Sequence, residues 1–223
     1  MPAFLDEVLS PAFVAASKDK TKYAFGQIFK VPAYYAPQRL EIWRPRNVDQ
    51  RLGTAEDFNL EVSPPDAFKR KIGLTNPPLT TEEEFLVLRA KRRPVLLIQP
   101  PDAELLTVSK GTFRSPIVRH LATIALFFSV ENAAGDAKFR PEFLERVRRL
   151  EYKQFMFFKK GGPLTLDSLL RLDCVQSIPE AQLEPSEFAV SPDICDVLKA
   201  QLMFYQTGLL ASEFADWAGI LKL

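Results

Sequence analysis

Lys91-Arg92-Arg93-Pro94-Val95-Leu96-Leu97-Ile98-Gln99 is the stretch on which the reading of this chain turns. Charge and a proline lead into four consecutive aliphatic residues, and Gln99-Pro100-Pro101 stops them. A short apolar run closed by turn formers is the pattern of a strand covered on both faces. The pattern recurs outward from it. His120–Val130 reads as another buried strand, Tyr152–Lys159 as a mostly aromatic one with the turn Gly161-Gly162 behind it, and Leu169–Val175 as the last. Upstream, Gly26–Val31 looks like a first strand that Pro32 ends. Residues 85–99, 119–130, 152–159 and 167–176 are thus expected to be strands of one closed or nearly closed barrel, because closure removes exposed edges.

Other segments follow other rules. Phe4, Leu5, Val8, Leu9, Phe13 and Val14 have helical spacing broken by Pro11, which predicts short amphipathic turns over residues 3–17. Arg140–Tyr152 carries Phe143, Leu144, Val147 and Leu150 at helical spacing, with Pro141 in its first turn. Ser191-Pro192-Asp193 is a helix start, joining a capping hydroxyl to a proline and an early acid. Ile194, Val197, Leu198 and Leu202 form that helix's stripe, and Gly208 ends it. Beyond it, Leu210, Phe214, Trp217 and Leu221 fall on one helical face. From Ala33 to Thr81, repeated prolines (Pro37, Pro45, Pro64, Pro65, Pro77 and Pro78) predict a long ordered insertion of short strands and turns. Glu82–Arg89 fits a helical turn or a strand, and its place before Arg92 favours a strand pairing back.

Composition narrows the function without naming it. Twenty-nine basic residues stand against 28 acidic ones, so no global field attracts nucleic acid and RNA binding would need a local patch. Cys174 and Cys195 lack metal-type spacing and read as free buried thiols, which fits a reducing compartment. Asp6 and Glu7 lie where a signal peptide would be basic, and no apolar run reaches membrane-spanning length. A cytoplasmic protein without membrane contact is expected. No glycine-rich phosphate loop, zinc ligand set, nucleophile elbow or usefully spaced carboxylate pair occurs, so no metal or cofactor is expected.

The order of these segments resembles the PemK/MazF-like toxin–antitoxin family. Arg93-Pro94 followed by Val95–Ile98 and Gln99 matches that family's second strand, and Ser115-Pro116 the step before its third. Asp173, Val175, Ile178 and Leu183 fit its late signature, where Gln176 and Ser177 replace the usual arginine and threonine. The match is weak over 23–35, reasonable over 85–208, and covers a little over half of the chain. It implies a mainly β fold, a small SH3-like barrel within a single domain spanning 1–223. The barrel strands would lie at about 23–35 and 85–178, the insertion at about 33–84, and C-terminal helices at 191–222. It further implies a metal-free endoribonuclease acting on single-stranded RNA, an antitoxin partner and a homodimer. In the family, an arginine at the start of the second strand and a threonine at the end of the third serve cleavage. Arg93 matches the arginine, but the threonine position falls on Phe128, with a hydroxyl only at the neighbouring Ser129.

Cleavage without a metal needs a base for the 2′-hydroxyl, an acid for the leaving oxygen, and a cation for the phosphorane. Arg93 supplies the cation on this reading, because guanidinium pairs bidentately with phosphate; the bland alternative is that Arg92 and Arg93 solvate a strand end. His120, the single histidine, titrates near neutrality and is a candidate acid or base, against the plainer role of a structural histidine. Ser129 is the hydroxyl left to compensate for Phe128. Arg92, Arg44 and Arg46 are the candidate RNA contacts, the last two interleaved with Tyr34, Tyr35 and Trp43 in the insertion. Packing of those aromatics onto a barrel is the competing explanation. Arg140, Arg146, Arg148 and Arg149 are balanced by Glu142, Glu145 and Glu151, which reads as a solvated helix. The alternative to an enzyme is a catalytically inactive barrel serving as a protein-interaction module.

Overall fold

A computed structural model of the protein describes residues 4–16, 23–34, 39–46, 58–71, 73–75, 78–101, 121–132 and 134–209, with 211, 212, 216, 219 and 221. The chain separates into two compact units, Met1–Ala33 with Arg92–Leu223, and Tyr34–Lys91. The fold is mainly β. Among the described residues no helix is long and apolar enough to cross a membrane.

The larger unit is built on a seven-stranded sheet in the order β1-β12-β2-β8-β9-β11-β10. Its members are β1 (Phe13–Ala15), β2 (Gln27–Tyr34), β8 (Ala90–Gln99), β9 (Leu121–Ser129), β10 (Phe155–Phe158), β11 (Ser168–Pro179) and β12 (Glu184–Val190). The pairings of β1 with β12, β12 with β2, β8 with β9, β9 with β11 and β11 with β10 are antiparallel. Alternation along the central strands explains their apolar runs. Leu96, Ala125, Phe127, Leu170 and Leu172 are buried in one cluster with Met156 and Phe158. Their alternates Val95, Leu97, Ile124, Leu126 and Leu169 are no more than 2% exposed, so both faces of these strands are covered.

The ladder does not close. Among the described residues β1 and β10 end the sheet without pairing to each other, so their backbone does not form the expected closed barrel. Register breaks bend the long strands instead. Arg171 opposes Leu126 and Val175 opposes Ala125, leaving Leu172, Asp173 and Cys174 without partners on β9. Lesser irregularities fall between Leu97 and Gln99 of β8 and between Pro185 and Ala189 of β12. Such bulges sharpen twist and curl a sheet. The two terminal strands meet through side chains: the rings of Phe13 and Phe158 stack at 5.6 Å, and Phe127 meets Phe158 edge-on at 5.3 Å.

Among the described residues this unit has three α-helices: α1 (Leu5–Val8), α2 (Pro141–Arg148) and α3 (Pro192–Thr207). Ile194, Val197, Leu198 and Leu202 of α3 enter the main core, as their spacing predicts. Gly208 ends α3 at φ +74°, its N–H bonding the Phe204 carbonyl at 2.7 Å. Ser191 precedes α3, but its hydroxyl makes no capping bond; Pro192 occupies the first turn instead. Leu221 is fully buried in the same core, while Leu210, Phe214 and Trp217 lie outside the described residues. Arg148 ties α2 to α1, donating to Asp6 at 2.7 and 2.9 Å and lying 3.8 Å over the Phe4 ring.

Other boundaries differ from expectation. Pro32 does not end β2, which continues to Tyr34. The N-terminal segment yields β1 as well as α1, and β12 forms through Pro185 despite its charge. Residues 85–99 are not one strand: β7 (Phe85–Leu86) belongs to the smaller unit, apart from β8.

That unit, residues 34–91, holds a sheet in the order β4-β3-β7, with β3 at Glu41–Pro45 and β4 at Phe58–Val62. A two-stranded ladder, β5 (Leu74–Thr75) with β6 (Pro78–Leu79), completes its described strands. Ile42 and Phe58 are buried, and Trp43 packs on Phe58 at 4.6 Å.

Two outcomes test the packing. Gly26 sits at φ +89°, and a Cβ there would lie 2.5 Å from the Cys195 sulfur and 3.0 Å from Val190 Cγ2. Gly26→Ala should cost about 2 kcal/mol or more, combining left-handed strain with a clash, measured as a lowered denaturant midpoint. Asp6 provides a pH test. Burial alone would raise its carboxyl, but hydrogen bonds from Arg148 and Lys159 outweigh that and hold it below the usual 3.8. The folded pKa is depressed, so its stabilisation is present above the ordinary value and lost as pH falls through the folded one. The stability difference between wild type and Asp6→Asn should therefore shrink across that acid limb and stay constant above it.

Candidate nucleic-acid interface

Adjacent strands place a row of alternating cations and rings at one end of the large sheet. Cross-strand register sets Val95 opposite Leu126, Leu126 opposite Arg171, and Arg171 opposite Phe155. Two residues along, on the same face, come Arg93 before Val95 and Phe128 after Leu126. The Arg93 guanidinium carbon lies 4.9 Å from the Phe128 ring centre, and that of Arg171 lies 5.3 Å from it. Arg171 also lies 5.7 Å from the ring of Phe155. Phe128 is thus flanked by two guanidinium groups, and Phe155 extends the row.

Each member is fixed by backbone or charge. Arg93 Nη1 donates to the Phe127 carbonyl at 3.2 Å, tethering it to β9. Arg171 grips Asp173 with Nε at 3.0 Å and Nη2 at 2.6 Å. Hydrogen bonding to Asp173 raises the Arg171 pKa against the opposing effect of burial, so it stays cationic. The Phe155 carbonyl accepts from Gln201 Nε2 at 3.1 Å. Beyond Phe155, Phe143 lies edge-on at 5.6 Å, and the Arg146 guanidinium lies 4.7 Å over Tyr152. Half-buried rings held between fixed cations can stack a base and receive a phosphate together.

The candidate residues separate on inspection. Arg93 and Phe128 are brought together. Ser129 is not with them, because alternation turns its side chain to the other face, where Lys138 Nζ bonds the hydroxyl at 2.5 Å. Arg92 is exposed and paired with Glu184. Arg44 is neutralised, 13% exposed and bound to Glu84 at 2.6 Å, Asp66 at 2.9 Å and Glu61 at 3.1 Å. Glu84 is itself 1% exposed and sits 3.3 Å from Arg70 Nε, so Arg44 anchors the smaller unit by buried ion pairing. Arg46 donates to Asn59 at 3.2 Å on the surface. His120 and Ser115-Pro116 lie outside the described residues. Arg171 and Phe155 were not among the candidates. The alternation Leu170-Arg171-Leu172-Asp173 carries the signal for Arg171, since it puts a cation and its acid on one face.

Among the described residues, no group of three or more His, Cys, Asp or Glu side chains could hold a metal ion. Cys174 and Cys195 are free, and burial pushes both thiols up. No protein-family model matches the chain, and no curated protein matches it.

Arg44 distinguishes an RNA contact from a structural anchor. Arg44→Ala should leave the buried Glu84 charge without its shortest partner, destabilising the smaller unit by about 3–5 kcal/mol. Limited proteolysis of the full chain should then cut within 58–91 much faster, with RNA affinity unchanged. Unchanged proteolysis with reduced RNA affinity would reverse the assignment.

Proposed function

We propose that this is a PemK/MazF-like barrel protein that binds single-stranded RNA across the Arg93–Phe128–Arg171–Phe155 row and has lost efficient cleavage. The observation that carries the proposal is the ring of Phe128 flanked by two guanidinium groups, at 4.9 and 5.3 Å. Unstacked bases would stack on the guanidinium and ring planes of this row, with the phosphates between them attracted by its positive charge. Asp173 offsets the charge of Arg171, so the binding is local and modest rather than driven by a broad basic field. The curled sheet whose ends meet through Phe13 and Phe158 supports the SH3-like barrel part of the reading. The loss of cleavage rests on Phe128, where the resemblance expects a threonine, and on Ser129, whose hydroxyl is held by Lys138 on the opposite face. Arg93 remains as a binding cation without the hydroxyl partner that the family's chemistry uses.

Fluorescence anisotropy with a labelled oligouridylate tests this directly. Wild type should bind in the micromolar range and prefer single strands to duplex. Phe155→Ala should weaken binding by roughly tenfold, the effect of one lost stacking platform. Arg93→Ala should weaken it and lower the salt dependence by about one phosphate contact. The labelled strand should remain intact throughout, in chelator or in added magnesium. Efficient cleavage by wild type, or affinity indifferent to both substitutions, would overturn the proposal.

A further inference from the structure

The two free edges of the large sheet face a common cleft, and we infer that it accepts an extended segment of a partner polypeptide with alternating apolar and acidic residues. The cleft has a volume of about 280 Å³ and is lined by both terminal strands, by α1 and by the Gly161-Gly162 turn. Its floor is apolar, with Leu5, Phe13, Met156 and Ile194, and Lys159 and Lys160 stand on its rim.

Backbone direction makes this more than an apolar hollow. The Leu172 N–H bonds the Gln154 carbonyl at 2.9 Å, so the even-numbered residues of β10 face β11. Phe157 therefore turns its N–H and C=O to the outer edge. On β1, the Ala12 carbonyl accepts from Ser191 at 3.0 Å and the Ala16 N–H donates to Glu187 at 2.9 Å. Those residues face β12, which leaves the backbone groups of Phe13 and Ala15 directed outward. Among the described residues neither strand pairs on that side. Exposed ladder groups are a template for an added strand, and side-chain pockets beside them select its sequence.

Charge chooses the partner. Asp6 is the acid in the lining, and it is already engaged by Arg148 and by Lys159 at 3.1 Å. Lys160 is exposed, and its backbone N–H is held by Asp167 at 2.7 Å. With Asp6 offset by Lys159, Lys160 leaves the lining net positive, so a strand presenting an acid to Lys160 and aliphatic residues to Phe13 and Met156 is complementary on both counts.

The test uses the full chain, isotope-labelled, with the peptide acetyl-Val-Asp-Val-Glu-Val-Asp-Val-amide as probe. Saturable binding should appear, with amide shifts concentrated at residues 12–15 and 156–160. Lys160→Glu, an exposed change that should leave folding intact, should weaken it by roughly tenfold or more. A central proline in the peptide should do the same by removing a ladder donor. Binding that ignores both changes, or no binding up to millimolar peptide, would overturn the inference. Shifts produced by octanoate but not by the peptide would assign the cleft to small amphiphiles and also overturn it.

Discussion

The break in register of β11 is the constraint on which the larger unit depends. Three consecutive residues, Leu172, Asp173 and Cys174, have no partners on β9, yet pairing resumes at Val175 and runs to Pro179. A long strand interrupted this way bends sharply, and its neighbours must follow. The bend lets the sheet curl until Phe13 and Phe158, at opposite ends of the strand order, stack in one core. It also places Asp173 where Arg171 can grip it twice, fixing the guanidinium against Phe128. Curvature and the candidate interface therefore share one cause.

Arginines tie the short elements of this chain together through acids and rings. Arg44 and Arg148 are surrounded by acids, with Glu84 and Asp6 almost wholly buried beside them. They serve as cross-links, tying short elements that have too little apolar surface to hold themselves. Arg93 and Arg171 lie against the Phe128 ring, Arg93 also bonding the Phe127 carbonyl and Arg171 gripping Asp173.

Much of the fold was legible where apolar runs were short and bounded. β8, β9, β10 and the first half of β11 follow directly from such runs, and α3 from its stripe and Gly208. β12 was not legible, because Glu184, Pro185, Ser186 and Glu187 hide a strand whose core contacts, Phe188 and Val190, come only at its end. Pro32 misled because proline stops a ladder only where its missing N–H is needed. At the site, Arg93 and Phe128 could be named from a motif, but their union with Arg171 depends on β9 lying beside β11, a pairing of segments far apart in the sequence. Ser129 was the nearest hydroxyl in sequence, and strand alternation puts it on the wrong face. Arg44 looked like an RNA contact because its three acids, Glu61, Asp66 and Glu84, are distant in sequence and adjacent only in the folded unit.

Photo-crosslinking measures the central claim most directly. A short oligouridylate carrying 4-thiouridine, irradiated with the full chain and mapped by peptide mass spectrometry, reports which side chains touch the bases. Crosslinks concentrated on Phe128 and Phe155, competed away by unlabelled single strand, are the expected result. Crosslinks confined to residues 34–91, or none above the level seen with a denatured chain, would contradict the account.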